Sequence, residues 1–329
     1  MCGKKFEPNY IRLHETGGLE RRIEKLYEIL ESCELCPRKC RVNRLKGGKG
    51  CCGSGMNLEV SSYNPHFGEE EPLVGKRRMF LEEWTRNMRS GSGTIFLAGC
   101  NLLCFYCQNY EISHLHYGKE VSLEGGADMM IELQKIGCCN INFVTPTHFA
   151  PQLLKATDIA IEKGLKIPLV WNCGGYENIE VIKVLEGIVD IYMPDIKYGD
   201  NMSAKKYSKV PVSDYFDRCK EAVIEMHRQV GDLKLDGDGI AYRGLLIRHL
   251  VLPNNIASSR KVLKFIADKI SQNSYVNIMS QYRPEGEAYK YNHLNRRLTQ
   301  KEFYSVIDIA EKLGLTQGLE KKKNFDHFK

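Results

Sequence analysis

The sequence lacks long apolar runs, and their absence excludes a class of protein. No stretch reaches the roughly 18 consecutive apolar residues that a membrane-spanning helix requires. Residues 1–5, MCGKK, lead into polar sequence without the apolar stretch of about 7–15 residues that marks a secretory signal. We therefore expect no membrane partner and a cytoplasmic location.

A strong surplus of one charge is also absent. The net charge of +6 comes from 47 Lys and Arg against 41 Asp and Glu. The basic residues are scattered among acidic ones, apart from short runs at 76–78 and 321–323. A nucleic-acid-binding surface needs clustered basic residues with interleaved aromatic side chains. The charge distribution therefore argues against a nucleic-acid partner, and also against the alternative of a nucleic-acid-binding zinc module.

Cysteine, by contrast, is abundant, with 13 residues in a chain of 329. An odd number of cysteines without an export signal argues against a disulfide framework and favours metal binding or thiol chemistry. The length suits one large core with a smaller appendage better than two full-sized domains. We therefore expect one catalytic domain with an extension.

The pattern of apolar residues indicates the fold class. An amphipathic helix is predicted at 19–31. From about residue 92, predicted strands at 93–98, 140–145, 167–171, 188–193, 244–252 and 275–280 alternate with predicted helices at 126–136, 150–163, 178–186, 215–230, 256–271 and 299–313. This alternation predicts an α/β fold with a parallel sheet. A partial (β/α)6 barrel and a doubly wound sheet fit equally, and both place the active site at the carboxyl ends of the strands.

Three cysteines follow the first of these strands: Cys100, Cys104 and Cys107. On a helix this spacing would form one face of small core residues. Their position directly after an apolar strand, beside Gly99 and Asn101, favours a loop at the strand end instead. Three thiolates can ligate three irons of a 4Fe–4S cubane and leave the fourth iron open to a substrate.

The spacing C-x3-C-x2-C, with Tyr106 before the last cysteine, resembles the radical SAM superfamily. The wider sequence resembles its branch around the pyruvate formate-lyase activating enzyme, over most of residues 33–315. The segments that carry the likeness are the cysteine segment at 33–52, HFGEE at 66–70, QNYEIS at 108–113, TPTH at 145–148, NCGGY at 172–176, DIK at 195–197, RH at 248–249 and NIMSQY at 277–282.

The resemblance favours a partial parallel (β/α)6 barrel with an N-terminal Cys-rich extension. We therefore divide the chain into a helix, Cys-rich segment and linker at 1–91, the barrel at 92–315, and a charged tail at 316–329.

The resemblance also implies the chemistry. The open iron would bind the amino and carboxylate groups of S-adenosylmethionine. An external one-electron donor, such as a flavodoxin or ferredoxin, would drive its cleavage to methionine and a 5′-deoxyadenosyl radical. Activation of a glycyl-radical enzyme is the expected task, and radical modification of another protein, peptide or metabolite is the alternative. An iron–sulfur electron carrier or sensor without catalysis is an alternative of a different class.

Several residues at strand ends resemble the family's cofactor-binding groups. Asp195 and Lys197 resemble the acid and base that hold the ribose and carboxylate of S-adenosylmethionine, and Arg248 resembles an arginine that serves the same ligand. Asp195 and Lys197 point to the same side of an extended segment, although a buried ion pair is the alternative explanation. Asn172 and Tyr106 complete this expected group.

The turn after the second strand departs from the family. Activating enzymes carry Gly-Gly-Glu there, which receives the methionine amino group, whereas this chain has Thr145, Pro146, Thr147 and His148. Carbonyls and hydroxyls of Thr145 and Thr147 offer acceptors for that amino group instead. His148 either contributes to the site or begins the following helix.

The linker before the barrel is a second departure, because residues 76–91 are longer than the usual connection. Phe80, Trp84 and Met88 share a helical spacing, which predicts an amphipathic helix that packs on the core or docks a partner. The acidic run at 69–71, close to His66, either supplies acid–base groups to the mouth of the barrel or forms a charged turn.

A second cysteine group precedes the barrel, with Cys33, Cys36 and Cys40 followed by Cys51 or Cys52. Four thiolates can close a structural zinc site or bind a fully ligated second iron–sulfur cluster. The spacing matches neither the common two-knuckle zinc pattern nor the bacterial ferredoxin run. We assign Cys52 as the fourth ligand because the relatives usually lack a cysteine at position 51. Free thiols and a segment without metal are the alternatives.

Overall fold

The computed structural model describes residues 6–74 and 91–319. Its helices are α1 (Asn9–Glu15), α2 (Gly18–Glu28), α3 (Glu71–Val74), α4 (Tyr110–Ser113), α5 (Leu123–Ile136), α6 (Ala150–Glu162), α7 (Ile179–Val184), α8 (Asn201–Tyr207), α9 (Tyr215–Val230), α10 (Ser259–Phe265) and α11 (Gln300–Lys312). Its strands are β1 (Leu58–His66), β2 (Ser92–Leu97), β3 (Lys119–Val121), β4 (Ile141–Val144), β5 (Leu169–Cys173), β6 (Ile191–Pro194), β7 (Lys234–Leu235), β8 (Ala241–Leu250) and β9 (Tyr275–Met279). The helix predicted at Phe80–Met88 lies outside the described residues.

One sheet forms the centre of the molecule, and its parallel strands follow chain order. The strand order is β3-β1-β2-β4-β5-β6-β8-β7, with β9 paired to β8. All ladders from β2 through β4, β5, β6 and β8 to β9 are parallel. A doubly wound sheet reverses its strand order at a switch point, whereas the parallel strands here run β2-β4-β5-β6-β8-β9 without a reversal. The predicted α/β fold is therefore confirmed as a partial parallel barrel.

The predicted elements are present, with shifted ends. Each of the six predicted strands overlaps one of the parallel strands, and each helix predicted within the described residues overlaps a helix. The helix predicted at 256–271 is divided into α10 and a π-helical turn at Ile266–Ile270. The antiparallel strands β1, β3 and β7 were missed. Only the first half of β1 alternates in burial, with Leu58 and Val60 inside, so its period is too short to read from the sequence.

The N-terminal segment packs tightly against the barrel. The predicted helix at 19–31 is α2 followed by a 3-10 turn at Ile29–Ser32, and α2 buries Leu19, Ile23 and Leu26 against α6. Arg44 is fully buried and donates hydrogen bonds to the carbonyl oxygens of Gly55, at 2.9 Å, and His148, at 2.6 Å. Backbone on both sides of the domain boundary predicted at residue 91 is therefore held by one guanidinium.

The barrel strands have an interior face and a face towards the helices. A small apolar cluster fills the interior and consists of Leu73, Val170, Ile191, Met193, Ala241 and Leu246. Side chains alternate along a strand, so Asn172 shares the interior face of β5 with Val170, while Trp171 and Cys173 belong to the larger core on the other face. Because Leu73 belongs to the interior cluster, the chain after β1 enters the barrel.

Every helix of the described residues is too short or too polar to cross a lipid bilayer.

Candidate cluster and cofactor site

The three cysteines predicted to hold a cluster lie on the loop that follows β2. Each sulfur accepts a hydrogen bond: Cys100 from the Leu102 backbone at 3.3 Å, Cys104 from the Ser208 hydroxyl at 2.9 Å, and Cys107 from the Ser113 hydroxyl at 3.2 Å. Burial raises the pKa of Cys104 to about 12, while the Lys197 ammonium opposes this rise. Donors to sulfur and a nearby cation favour thiolates that carry negative charge.

The entry to this loop is crowded by the N-terminal segment. Gly99 has φ of +82°, and a Cβ built there would lie 2.6 Å from the carbonyl oxygen of Cys52. The same carbonyl accepts a hydrogen bond from His116 at 2.6 Å. Only glycine suits this position, because both the backbone angle and the close approach exclude a side chain.

A charged group lies beside the thiols at the carboxyl ends of the strands. The Lys197 ammonium is 2.6 Å from one oxygen of Asp195, whose other oxygen accepts from Arg248 at 2.6 Å. Arg248 also donates to the side-chain oxygen of Asn172 at 2.7 Å. The structure therefore brings together four of the predicted cofactor-binding residues.

The charge states in this group follow from its geometry. Burial favours the neutral form of Asp195, but Arg248 and Lys197 outweigh it and lower the pKa of Asp195 to about 2. Burial also favours neutral Lys197, and the Asp195 carboxylate instead raises the pKa of that ammonium above its usual value. Both side chains are consequently ionised at neutral pH.

Two further carboxylates reach Arg248 from the chain that enters the barrel. Glu69 and Glu70 lie 3.4 and 3.7 Å from its guanidinium, and Asn277 donates to Glu70 at 2.9 Å. Burial, with Glu70 nearby, raises the pKa of Glu69 to about 7 despite the attraction of Arg248. Two carboxylates of the acidic run at 69–71 therefore lie at the site. In the sequence, the position of this run close to His66 was the basis for expecting acid–base groups there.

Some polar atoms in the barrel interior lack partners. One oxygen of Glu70 and both amide atoms of Asn142 are buried without a hydrogen bond. Asn142 is paired in register with Val170, whose side chain lines the interior. Because buried polar groups are nearly always satisfied, these atoms mark a place where a polar ligand would gain hydrogen bonds.

Tyr106 belongs to a chain of hydrogen bonds that ends at a cysteine of the cluster loop. Its hydroxyl donates to Tyr198 at 2.7 Å, Tyr198 pairs with Ser208 at 2.8 Å, and Ser208 donates to Cys104. All three side chains are buried. Sequence reasoning missed Tyr198 and Ser208, because nothing in the spacing indicates contacts across about a hundred residues.

The turn after β4 does not gather all its predicted residues at the charged group. The Thr147 hydroxyl donates to Glu177 at 2.6 Å, and Glu177 interacts with Trp171 and Cys173 on the face of β5 opposite Asn172. The Thr147 side chain therefore lies on the opposite face of the sheet from Asn172. Burial on that face raises the pKa of Glu177 to about 7.

Thr145 and His148 complete this turn. Thr145 has φ of +60°, an uncommon conformation for a β-branched residue and one that is concentrated at functional sites. His148 lies in a 3-10 turn directly before α6, and its ring nitrogen pairs with the Ala98 carbonyl oxygen at 2.8 Å. Burial lowers the pKa of His148 to about 3, so the ring is neutral.

The second cysteine group is also brought together. A Cβ built at Gly50 would lie 3.5 Å from the sulfurs of both Cys40 and Cys52. Burial raises the pKa of Cys36, and negative charge on Cys33, Cys40 or Cys52 would raise it further, so the four thiols lie within electrostatic reach.

Cys51 differs from Cys52 in its environment: it is exposed, while Cys52 is buried. Among the described residues, no three His, Cys, Asp or Glu side chains are placed to hold a single metal ion between them. A cubane does not need that convergence, because each thiolate binds a different iron.

Two kinds of comparison identify relatives. The chain is similar to uncharacterized protein MJ0674 of Methanocaldococcus jannaschii, at 32% identity over 322 residues that cover 94% of this chain and 83% of that protein. Uncharacterized protein MJ0808 of the same organism is 24% identical over 306 residues, which cover 90% and 81% of the two chains. The family described as the radical SAM superfamily matches residues 94–233. Residues 94–233 therefore form a radical SAM superfamily domain. Such a domain implies a 4Fe–4S cluster and S-adenosylmethionine.

Two solved structures are distantly similar to this chain. A radical SAM methyltransferase from Sphaerobacter thermophilus is 12% identical, with a TM-score of 0.43, and the match covers 69% of this chain and 65% of that one. Methylornithine synthase is 13% identical, with a TM-score of 0.44 and coverage of 94% and 74%.

The residues present suit the cofactors that the superfamily implies. Three thiols on one loop, each with a hydrogen-bond donor, match a cluster with three cysteine ligands. The neighbouring Lys197 and Arg248 can donate to a carboxylate, and Asp195 can accept from hydroxyl groups.

Proposed function

We propose that this chain cleaves S-adenosylmethionine reductively at a 4Fe–4S cluster on Cys100, Cys104 and Cys107, and that the resulting radical removes a hydrogen atom from a substrate. The observation that carries the proposal is the charged group of Lys197 and Asp195 beside those thiols, at the strand ends of a parallel barrel. A closed electron-transfer cluster would need no such group.

The chain's own residues would bind and orient the cofactor. Asp195 holds Lys197 and Arg248 in place, and the Lys197 ammonium has N–H groups beyond the one that meets Asp195 with which it could donate to a carboxylate. Asp195, ionised because of those two cations, is suited to accept hydrogen bonds from ribose hydroxyls. When bound, the cluster and S-adenosylmethionine would together supply the 5′-deoxyadenosyl radical.

The substrate we propose is a glycyl-radical enzyme. Its support is the sequence resemblance to activating enzymes at the cluster loop, at DIK 195–197 and at Arg248. The Thr145–His148 turn, which replaces Gly-Gly-Glu, supports the alternative of radical modification of another protein, peptide or metabolite.

Anaerobic reconstitution with iron and sulfide, followed by reduction with dithionite, tests the proposed reaction. Mass spectrometry should detect 5′-deoxyadenosine in an amount that depends on S-adenosylmethionine. A reconstituted protein that takes up iron but forms no 5′-deoxyadenosine would instead be an electron carrier or sensor. For the substrate, a glycine-centred radical should appear by electron paramagnetic resonance (EPR) when a glycyl-radical enzyme encoded near this gene is added.

A further inference from the structure

The four cysteines Cys33, Cys36, Cys40 and Cys52, here called the quartet, lie in a segment without regular structure. Residues 33–57 contain no helix or strand. Local hydrogen bonds nevertheless fold the segment back on itself, with Cys33 and Arg41 paired at 3.0 Å and Gly50 and Gly53 paired at 2.9 Å. A compact irregular segment of this kind needs a stabilising element other than strand pairing, and clustered thiols can supply one through a metal.

The segment that carries the quartet directly contacts the loop that holds the three cluster cysteines. The Arg38 guanidinium donates to the carbonyl oxygens of Asn101 and of Leu102, the latter at 3.1 Å. On the other side, the Cys52 carbonyl occupies the space where a Cβ of residue 99 would lie. A group bound by the quartet would therefore be a near neighbour of one bound by Cys100, Cys104 and Cys107.

The position of the quartet favours one of the two metals that it can bind. Zinc has no redox chemistry and would only close the segment, whereas an iron–sulfur cluster accepts and releases an electron. Because Arg38 and Cys52 contact the loop of Cys100, Cys104 and Cys107, an iron–sulfur cluster held by the quartet would lie beside a second redox centre.

We propose that Cys33, Cys36, Cys40 and Cys52 bind a second, fully ligated iron–sulfur cluster that relays electrons to the cluster on Cys100, Cys104 and Cys107. One electron from an external donor reduces the quartet's cluster, and the same electron passes to the neighbouring cluster. No bond forms or breaks in this step. The relay rests on the function proposed above, whereas the presence of the second cluster does not.

The surface around the quartet indicates the chemistry of the donor. Lys39, Arg41, Lys46 and Lys49 are exposed there, and the acidic side chain among residues 33–53 is Glu34. Two of these cations contact Glu34, which leaves a net positive patch. An acidic one-electron carrier protein would be attracted to this patch, at a rate that falls with added salt.

Metal content of separate variants tests the second cluster. We would compare the wild type, a variant with Cys100, Cys104 and Cys107 all changed to Ala, and a variant with the quartet changed to Ser, each reconstituted anaerobically with iron and sulfide in the presence of zinc. The wild type should contain about eight irons, and the first variant about four, without stoichiometric zinc. One zinc and no iron in the first variant would overturn the proposal, as would the absence of both metals.

Cys51 and Cys52 provide a matched pair of single substitutions. Cys52→Ser should lose the iron of one cluster, while Cys51→Ser should match the wild type. Equal metal loss in both would refute the assignment of the fourth ligand. This comparison, and the first variant, remain informative even if the quartet variant fails to fold.

The relay is tested with two reductants. With an acidic flavodoxin as donor, Cys52→Ser should form 5′-deoxyadenosine at least about tenfold more slowly than Cys51→Ser. With dithionite, which does not require a protein-docking surface, the difference in rate between the two variants should be smaller. Unchanged rates with flavodoxin would refute the relay. A wild type that holds two clusters but yields no 5′-deoxyadenosine would refute the proposed function and leave the second cluster standing.

Discussion

The two cysteine groups of this chain lie side by side but differ in their surroundings. Cys100, Cys104 and Cys107 follow a strand of the barrel and face the charged group of Asp195 and Lys197. The quartet lies in irregular backbone, and basic side chains around it are exposed to solvent. Three ligands with charges beside them suit substrate binding, whereas four ligands leave no open iron and suit electron transfer. Position in the fold thus separates two groups of the same residue type.

The largest expected effect tests whether the three-cysteine site alone performs catalysis. Cys104→Ser should reduce 5′-deoxyadenosine formation to the background level, because it removes one of three cluster ligands. Cys139→Ser, which changes a cysteine outside both groups, should retain activity. Comparable loss in both variants would show that general thiol damage, and not the cluster loop, limits the reaction.

The charges beside the three-cysteine site should also be important for stability. Arg248→Met leaves Glu69 and Glu70 buried without their cation and leaves Asp195 with Lys197 alone, so the free energy of unfolding should fall by about 3–5 kcal/mol. Arg218→Met breaks contacts with Asp214 and Glu221 on the surface and should cost less than about 1 kcal/mol. Chemical denaturation measures both. Equal losses would mean that the charged group is solvated rather than buried.

The core behind the two cysteine groups should respond to pH through Glu177. Its pKa of about 7 in the folded protein lies above the ordinary value of 4.5, so the folded state holds this proton more tightly than the unfolded state. Stability should therefore be highest below pH 4.5 for this group and fall as pH rises through 7, by on the order of 3 kcal/mol in total.

Glu177→Gln isolates this effect from other titrating groups. Between pH 5 and pH 8, the wild type should lose stability relative to the variant, as measured by urea denaturation. Glu180→Gln, a change at an exposed position three residues away, should follow the wild type. A constant difference between the wild type and Glu177→Gln across this range would contradict the raised pKa.

The smallest expected effect separates the clusters by reduction potential. Ser208→Ala removes a donor to Cys104 and should lower the potential of that cluster by on the order of 40 mV, because a hydrogen bond worth about 1 kcal/mol no longer stabilises the reduced form. An EPR redox titration should show the second cluster unchanged. Ser305→Ala, in α11, is the matched control, and a shift there would point to an indirect cause.

Sequence patterns predicted the features that depend on local periodicity. The parallel strands are apolar runs of strand length, and the cluster cysteines follow the first of them, so both could be read from the chain. Contacts between distant segments could not be read. Glu69 meets Arg248 across 179 residues of sequence, and no local pattern records that approach.

The turn after β4 shows a second limit of sequence reasoning. Thr147 was expected to face the cofactor, but its hydroxyl bonds Glu177 on the other side of β5. The direction of a side chain in a tight turn depends on single backbone angles, such as the φ of +60° at Thr145, rather than on residue type.

Arg44 couples the unfolding of the Cys-rich segment to that of the barrel. Its guanidinium is completely enclosed and holds backbone of both the Cys-rich segment and the barrel. If the segment peeled away alone, this cation would lose partners inside the barrel wall, at a cost of several kcal/mol. The two parts should therefore melt in one cooperative transition, so that proteases reach the cysteine segment only when the whole chain opens.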